Sequence, residues 1–184
     1  MAGRPRKPGS STALLAAAVA ALRERGYDGL VLEDVARTAG TGKSSLYSRF
    51  ADRHALAVAA VASLQRDPPP PMGELRLDLI ALVRTAERDL SALGPGTLGS
   101  LLARPANGAA PDNGGLLAPT AARCRRLLTS ARERGELPAG ADPESAVELI
   151  VGSLLVRMLA PALSPGPWPD RAVDALLAVM RPAD

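Results

Sequence analysis

Apolar residues in this chain of 184 recur every three or four positions in segment after segment, and nowhere do they alternate singly with polar ones. A period near 3.6 builds helices, whereas half-buried strands need a period of two. The pattern predicts an all-α protein of about nine helices. The 17 glycines and 17 prolines set the boundaries between them.

Residues 1–10 combine Gly, Pro and basic residues without apolar periodicity and are expected to form a flexible basic arm. Ser11 or Thr12 can cap a first helix whose stripe is Leu15, Val19 and Leu22 with Leu14 and Ala18 beside it, and Gly26 is its stop. A short helix from Leu32 to Thr38 should bury Leu32, Val35 and Ala36, and another from Lys43 to Phe50 should bury Leu46 and Phe50. Gly40 lies in the turn between them, and Asp52 caps a fourth helix running from Arg53 to about Gln65. Two short helices joined by a turn containing glycine form a helix-turn-helix unit, whose second helix enters the major groove of DNA. The exposed residues of that helix are Lys43, Ser44, Ser45, Tyr47, Ser48 and Arg49, all hydrogen-bond donors of the kind that DNA contacts use.

Charge is distributed unevenly along the chain. Residues 1–53 hold nine Lys/Arg against five Asp/Glu, a balance of +4, and the remainder is −1. A basic first quarter favours an anionic partner, and Arg4 and Arg6 in the arm add to it. The inventory also excludes functions. One Cys (Cys124) and one His (His54) make neither a disulfide framework nor the usual zinc cage, and no nucleophile–base set can be assembled around them. A non-enzyme is expected, with no catalytic residues, no cofactor and no metal. No apolar run approaches the roughly 20 residues that span a bilayer, and the start of the chain has no signal-peptide core, so a cytoplasmic protein without membrane contact is expected.

The order of these residues resembles the DNA-binding domain of TetR/AcrR-type transcriptional regulators. The resemblance rests on Leu22-x-x-x-Gly26-Tyr27-x-Gly29, Val35-Ala36-x-x-Ala39-Gly40, Lys43-x-x-Leu46-Tyr47-x-x-Phe50 and Arg53-x-x-Leu56, with Gly3-Arg4-Pro5-Arg6 similar to the family's N-terminal arm. It implies that Lys43, Ser44 and Ser45 face bases and nearby phosphates, while Tyr47 and Arg53 hold the DNA backbone. The residue chemistry agrees: Lys43 can donate to guanine O6/N7 or phosphate, hydroxyls are short-range phosphate donors, and Arg53 opens a helix whose free N–H groups also favour phosphate. The chain departs from the family at Val31, where Ser or Thr usually caps the second helix, and at Thr41-Gly42, where Val-Ser is usual. Thr41 could take over as cap if the recognition helix starts one residue earlier.

Beyond residue 65 the segment 66–73, with four consecutive prolines, marks a linker that is either a simple turn of the chain or a stiff spacer. The remainder, 74–184, is predicted to be a helical bundle for effector binding and dimerisation. Helices are expected over Glu74–Leu93, about Pro119 to Arg134 (apolar at Ala122, Leu127, Leu128 and Ala131), from Asp142-Pro143, and about Pro169 to Met180, with a short apolar piece over Thr97–Ala103. Val147, Ile150, Val151, Leu154, Leu155, Met158, Val173, Leu176, Leu177 and Met180 form stripes wide enough to suggest a second partner face. The family pattern likewise puts a homodimer interface on the final helix pair, and two-fold symmetry then predicts a pseudo-palindromic operator in double-stranded DNA. The resemblance further implies a repressor released by a small molecule held in this bundle. Its pocket would use Thr97, Leu101, Arg84, Arg88, Arg123, Leu154 and Met158 and suit an apolar or acidic effector, the apolar one favoured. The competing expectation is a helical DNA-binding protein whose bundle takes a protein partner or no effector.

Overall fold

The computed structural model describes residues 11–67, 69–103, 115–138, 140–163 and 166–180. Among them every regular element is helical, with nine α-helices and two short 3-10 turns. They sort into two packed units. One comprises α1 (Ser11–Arg25), α2 (Leu32–Thr38), α3 (Lys43–Tyr47), α4 (Arg53–Leu64) and α6 (Gly94–Leu102); the other comprises α5 (Leu75–Ser91), α7 (Ala118–Glu133), α8 (Pro143–Leu159) and α9 (Trp168–Val179).

In the first unit α1 packs on α4 and α2, and α2 packs on α3. The core is Leu14, Ala18 and Leu22 of α1, Leu30 of the following turn, Val35, Leu46, and Leu56, Ala57, Ala60 and Val61 of α4, all at most 1% exposed. Leu15, Leu32 and Phe50, expected inside, are only half-buried. On α1 the buried residues are Leu14, Ala18, Val19, Ala21 and Leu22, so Leu14 and Ala18 take the inner place expected of Leu15. The short piece expected at Thr97 becomes α6, which starts at Gly94 and packs on α4 in this unit. Gly26 lies beside it: a Cβ there would be in ordinary contact with Thr97 Oγ1 at 3.6 Å, so its φ of +69° rather than space calls for glycine.

Helix ends follow the local chemistry. Gly40, at φ +67°, terminates α2 in a Schellman motif: Thr41 N–H donates to Ala36 O at 2.9 Å and Gly40 N–H to Arg37 O at 3.1 Å. Gly135, at φ +75°, repeats the device after α7, with Glu136 N–H donating to Ala131 O at 2.9 Å. The turn aims Glu136 at α5, where its Oε2 accepts from Leu75 N–H at 2.7 Å and caps that helix. Asp52 caps α4 through Ala55 N–H, and Asp142 caps α8 through Glu144 and Ser145 N–H with Pro143 at the first position.

The second unit is built around α5, which packs on α7, α8 and α9. α7 buries Thr120, Cys124, Leu128 and Ala131, a stripe spaced by four, four and three, so Ala122 is exposed and Leu127 half-buried. Desolvation pushes the buried Cys124 thiol up to about 12, which makes it an inert core cysteine. A polar cluster closes one side. Asp89, 4% exposed, accepts from Arg66 N–H at 2.9 Å, Arg66 Nε at 3.1 Å and Arg66 Nη2 at 2.6 Å. Thr120 Oγ1 donates to Gln65 Oε1 at 2.7 Å, and Arg123 Nη2 donates to Gln65 O at 2.7 Å.

Burial opposes the charge on Asp89, but the hydrogen bonds and charge of Arg66 outweigh it and hold the carboxyl below its usual range. A depressed folded value contributes stability that is complete above the unfolded value of about 4 and is lost as pH falls through the lower folded value. Melting followed from pH 6 to 3 should therefore show a loss of stability setting in near pH 4. Asp89→Asn should be less stable than wild type at pH 6, by a margin that narrows toward pH 3. A margin independent of pH would contradict this assignment.

Candidate nucleic-acid interface

α3 is only five residues long, and its N-cap, Gly42, has no side chain. Thr41, expected as a replacement cap, lies outside that position and is taken up instead by the Schellman turn of α2. Val31 likewise caps α2 without a side-chain hydrogen bond. So short a helix is held by packing rather than by its own hydrogen bonds. Leu46, 1% exposed, points into the unit, which leaves Lys43, Ser44, Tyr47, Ser48 and Arg49 outside and Ser45 half-buried. The structure thus brings six of the nine residues expected to meet DNA onto one short segment.

Tyr47 is 48% exposed, so it is no core aromatic. Ser48 Oγ donates to Ser45 O at 3.0 Å, and Arg49 reaches Ser11 Oγ at 3.4 Å. Arg53, at the start of α4, donates to Asp28 O at 3.2 Å, and its guanidinium carbon stands 4.7 Å from the centroid of the Tyr27 ring. His54, half-buried, meets the same ring edge-on at 6.1 Å. Arg4 and Arg6 lie outside the described residues.

Two participants were not anticipated from the sequence. Tyr27, 4% exposed, is the platform on which Arg53 rests. Glu33, in the first turn of α2, stands with Oε1 3.3 Å from Lys43 Nζ. Ten residues separate that pair, a distance carrying no helical or turn signal, so only the packing of α2 on α3 reveals it. The adjacent Asp34 pairs with Arg25 at 3.2 Å and with Arg37.

The residues expected to surround an effector fall in both units, and each is described within its own. Thr97 and Leu101 are buried on α6 in the first unit. In the second unit Arg84 pairs with Asp170 at 2.7 Å, Arg88 with Asp89 at 3.4 Å and Arg123 with Asp67 at 2.9 Å. Leu154 and Met158 are buried on α8. Two open grooves of that unit, of about 420 and 320 Å³, are bordered instead by residues such as Glu74, Arg76, Glu136 and Leu177, and Ala141, Ser145, Leu149 and Val179.

The expected dimer face is also revised by burial. Val147, Ile150, Leu154, Met158, Val173 and Leu176 belong to the core of their own unit and have little surface to offer a partner. Val151, Leu155, Leu177 and Met180 are half-buried. The large apolar residues left exposed on these helices are Leu149, Val156 and Leu159 of α8 and Val179 of α9. The stripes are wide because α8 faces α5, α7 and α9 together, which a sequence pattern cannot distinguish from facing a second chain.

A short helix anchored by one leucine, presented after a glycine turn with its donors outward, defines a helix-turn-helix DNA-binding protein. Residues 14–60 match the family described as bacterial regulatory proteins, tetR family, and residues 69–180 match the tetracyclin repressor-like C-terminal domain. The chain belongs to the TetR family of transcriptional regulators. It is 26% identical over 168 residues to the uncharacterized HTH-type transcriptional regulator YdeS of Bacillus subtilis, covering 85% of this chain and 82% of that one. It is 29% identical over 173 residues to the uncharacterized HTH-type transcriptional regulator Rv1556 of Mycobacterium tuberculosis, covering 90% and 86%. The solved structure of the TetR family transcription regulator SCO0332 superposes with a TM-score of 0.65 at 25% identity, covering 93% of this chain and 98% of that one. The fold is also that of FadR from Bacillus subtilis, solved in complex with stearoyl-CoA, at a TM-score of 0.55 and 13% identity, covering 93% and 97%. No helix among the described residues is long and apolar enough to cross a membrane.

Proposed function

We propose that this regulator is a homodimeric repressor that binds a pseudo-palindromic operator and is released by an apolar small molecule taken up in its C-terminal part. The observation that carries the DNA half is the outward set on α3 and just after it, held by Leu46; in this reading Lys43 and Ser44 meet base edges, while Tyr47, Ser48 and Arg49, with Arg53 of α4, hold the backbone. Dimerisation is supported by the apolar side chains that α8 and α9 leave in solvent, Leu149, Val156, Leu159 and Val179. Closed two-fold pairing of that face presents two reading heads, which asks for a two-fold operator. Release by an apolar ligand is supported by the aliphatic composition of the second unit, where Trp168 is the one aromatic residue, and by the acyl-CoA complex of a protein with the same fold. Such a ligand must bind the DNA-free state better than the DNA-bound one, because equal affinity switches nothing.

The test is binding to a duplex carrying the promoter beside its own gene, with a random duplex of equal length as control. Affinity should fall steeply as salt is raised, with a log–log slope of about −0.9 per phosphate contact. Lys43→Ala should weaken the promoter complex about 5- to 150-fold, the range of one lost base contact, and the random complex much less. Arg53→Ala should weaken both alike. Salt-independent binding, or the reverse pattern in the two variants, would overturn these roles. Light scattering should give a dimer for the wild type and a monomer for Leu149→Asp/Val156→Asp; a monomeric wild type would refute the pairing.

A further inference from the structure

We propose that Glu33 is a specificity-determining residue of the DNA-binding surface, acting as a positioning residue that aims Lys43 at a base edge and withholds it from phosphates. The inference rests on the DNA-binding role of α3 and goes beyond it, since Glu33 lies on the other helix of the pair.

Lys43 is the one lysine among the described residues, at the first position of α3, and its ammonium ends a flexible four-carbon stem. Left free, such a side chain serves any phosphate in reach and confers affinity without discrimination. Here its Nζ is 3.3 Å from Glu33 Oε1, with side-chain exposures of 66% and 44%, so the pair sits on the surface that α3 presents. An ammonium has three donors, so one can remain on the carboxylate while the others reach guanine O6 and N7. Keeping the pair in the operator complex makes the geometry one of discrimination: the stem is ordered before DNA arrives, and the ammonium is already partly neutralised toward any phosphate.

The charges around the pair are arranged to maintain it. Glu33 occupies the first turn of α2, where the helix dipole favours a carboxylate. Its own backbone hydrogen bond, and then Lys43, hold the carboxyl below its usual range, so it is ionised at neutral pH. Asp34 beside it is occupied by Arg25 and Arg37. α3 contributes no acidic residue, so Lys43 has no alternative carboxylate on its own helix.

The experiment compares promoter and random duplexes with wild type, Glu33→Gln, Lys43→Ala and the double variant, across salt concentrations. Glu33→Gln keeps size and shape, and an unchanged melting temperature confirms that the fold is intact. The isolated exposed pair is worth about two- to fivefold, so Glu33→Gln should weaken the promoter complex by up to that factor. It should tighten the random complex by a similar factor and steepen its salt slope by about 0.9 for each phosphate gained. In the Lys43→Ala background Glu33→Gln should no longer change the ratio of promoter to random affinity, because the coupled partner is gone. Equal tightening on both duplexes, no change on either, or a change in ratio that persists without Lys43 would each overturn the proposal. A wild type that binds the promoter selectively while Glu33→Gln behaves identically sinks only the role of Glu33; a wild type that binds neither duplex sinks the reading on which it rests as well.

Discussion

Leu46→Ala is expected to cost about 2–5 kcal/mol of stability and to remove promoter binding with it. The side chain is 1% exposed, and it is the one residue of α3 that is buried. Nothing else replaces it locally: the helix has five residues, and its N-cap is a glycine with no side chain to accept a hydrogen bond. An isolated helix of that length does not form in water, so its geometry is borrowed from the packing beneath it. Truncation leaves a cavity under the segment that carries Lys43, Ser44, Tyr47, Ser48 and Arg49, and the donors lose their common orientation. Calorimetry and duplex titration on the same preparation check both effects. A variant that melts several degrees lower yet binds the promoter normally would show that α3 is held by something other than Leu46.

Gly29→Ala should destabilise the first unit by about 1–3 kcal/mol, the usual cost of overpacking. Its φ is not in the left-handed region, so the constraint is space alone. A Cβ would stand 2.5 Å from Arg25 Cβ and 2.7 Å from Arg25 O, and neither atom is the free end of a flexible chain. The turn would have to open between α1 and Leu30, moving Asp28 O, the acceptor for Arg53, and Tyr27, on which Arg53 rests. Promoter and random DNA should therefore both bind more weakly, as for loss of a backbone contact. Gly96→Ala is the matched control in the same unit. A Cβ there meets nothing within 4 Å, and the position is helical, so the change should be neutral or stabilising by up to about 1 kcal/mol. Equal melting temperatures for the two variants would remove the steric argument.

Much of the architecture was legible because it depends on nearest neighbours along the chain. α2 runs from Leu32 to Thr38 and α4 begins at Arg53, as periodicity and the Asp52 cap predicted, and Gly26, Gly40 and Gly135 stop helices in the left-handed conformation that glycine tolerates. The donors of α3 were also visible, since a single buried leucine in a short polar helix settles which side faces out. Burial in the C-terminal unit was not legible. Val147, Ile150, Leu154 and Leu176 carry the same stripe whether they pack on their own unit or on a second chain, and they pack on their own.

The sequence by itself determined the helical class, the glycine stops and aspartate caps, the basic head and the family, because periodicity, capping, charge and motif spacing are properties of neighbours in the chain. It did not place every end, since α3 stops at Tyr47 rather than Phe50 and α6 starts at Gly94 rather than Thr97. The tertiary structure decided that α6 packs with α4, that Arg53 rests on Tyr27, that Asp89 collects Arg66, and that Lys43 is tied to Glu33. Each of these joins residues ten or more positions apart. Their energies depend on distances of 3–5 Å that exist only after the helices have packed, and no local pattern encodes which of many charges or rings will meet.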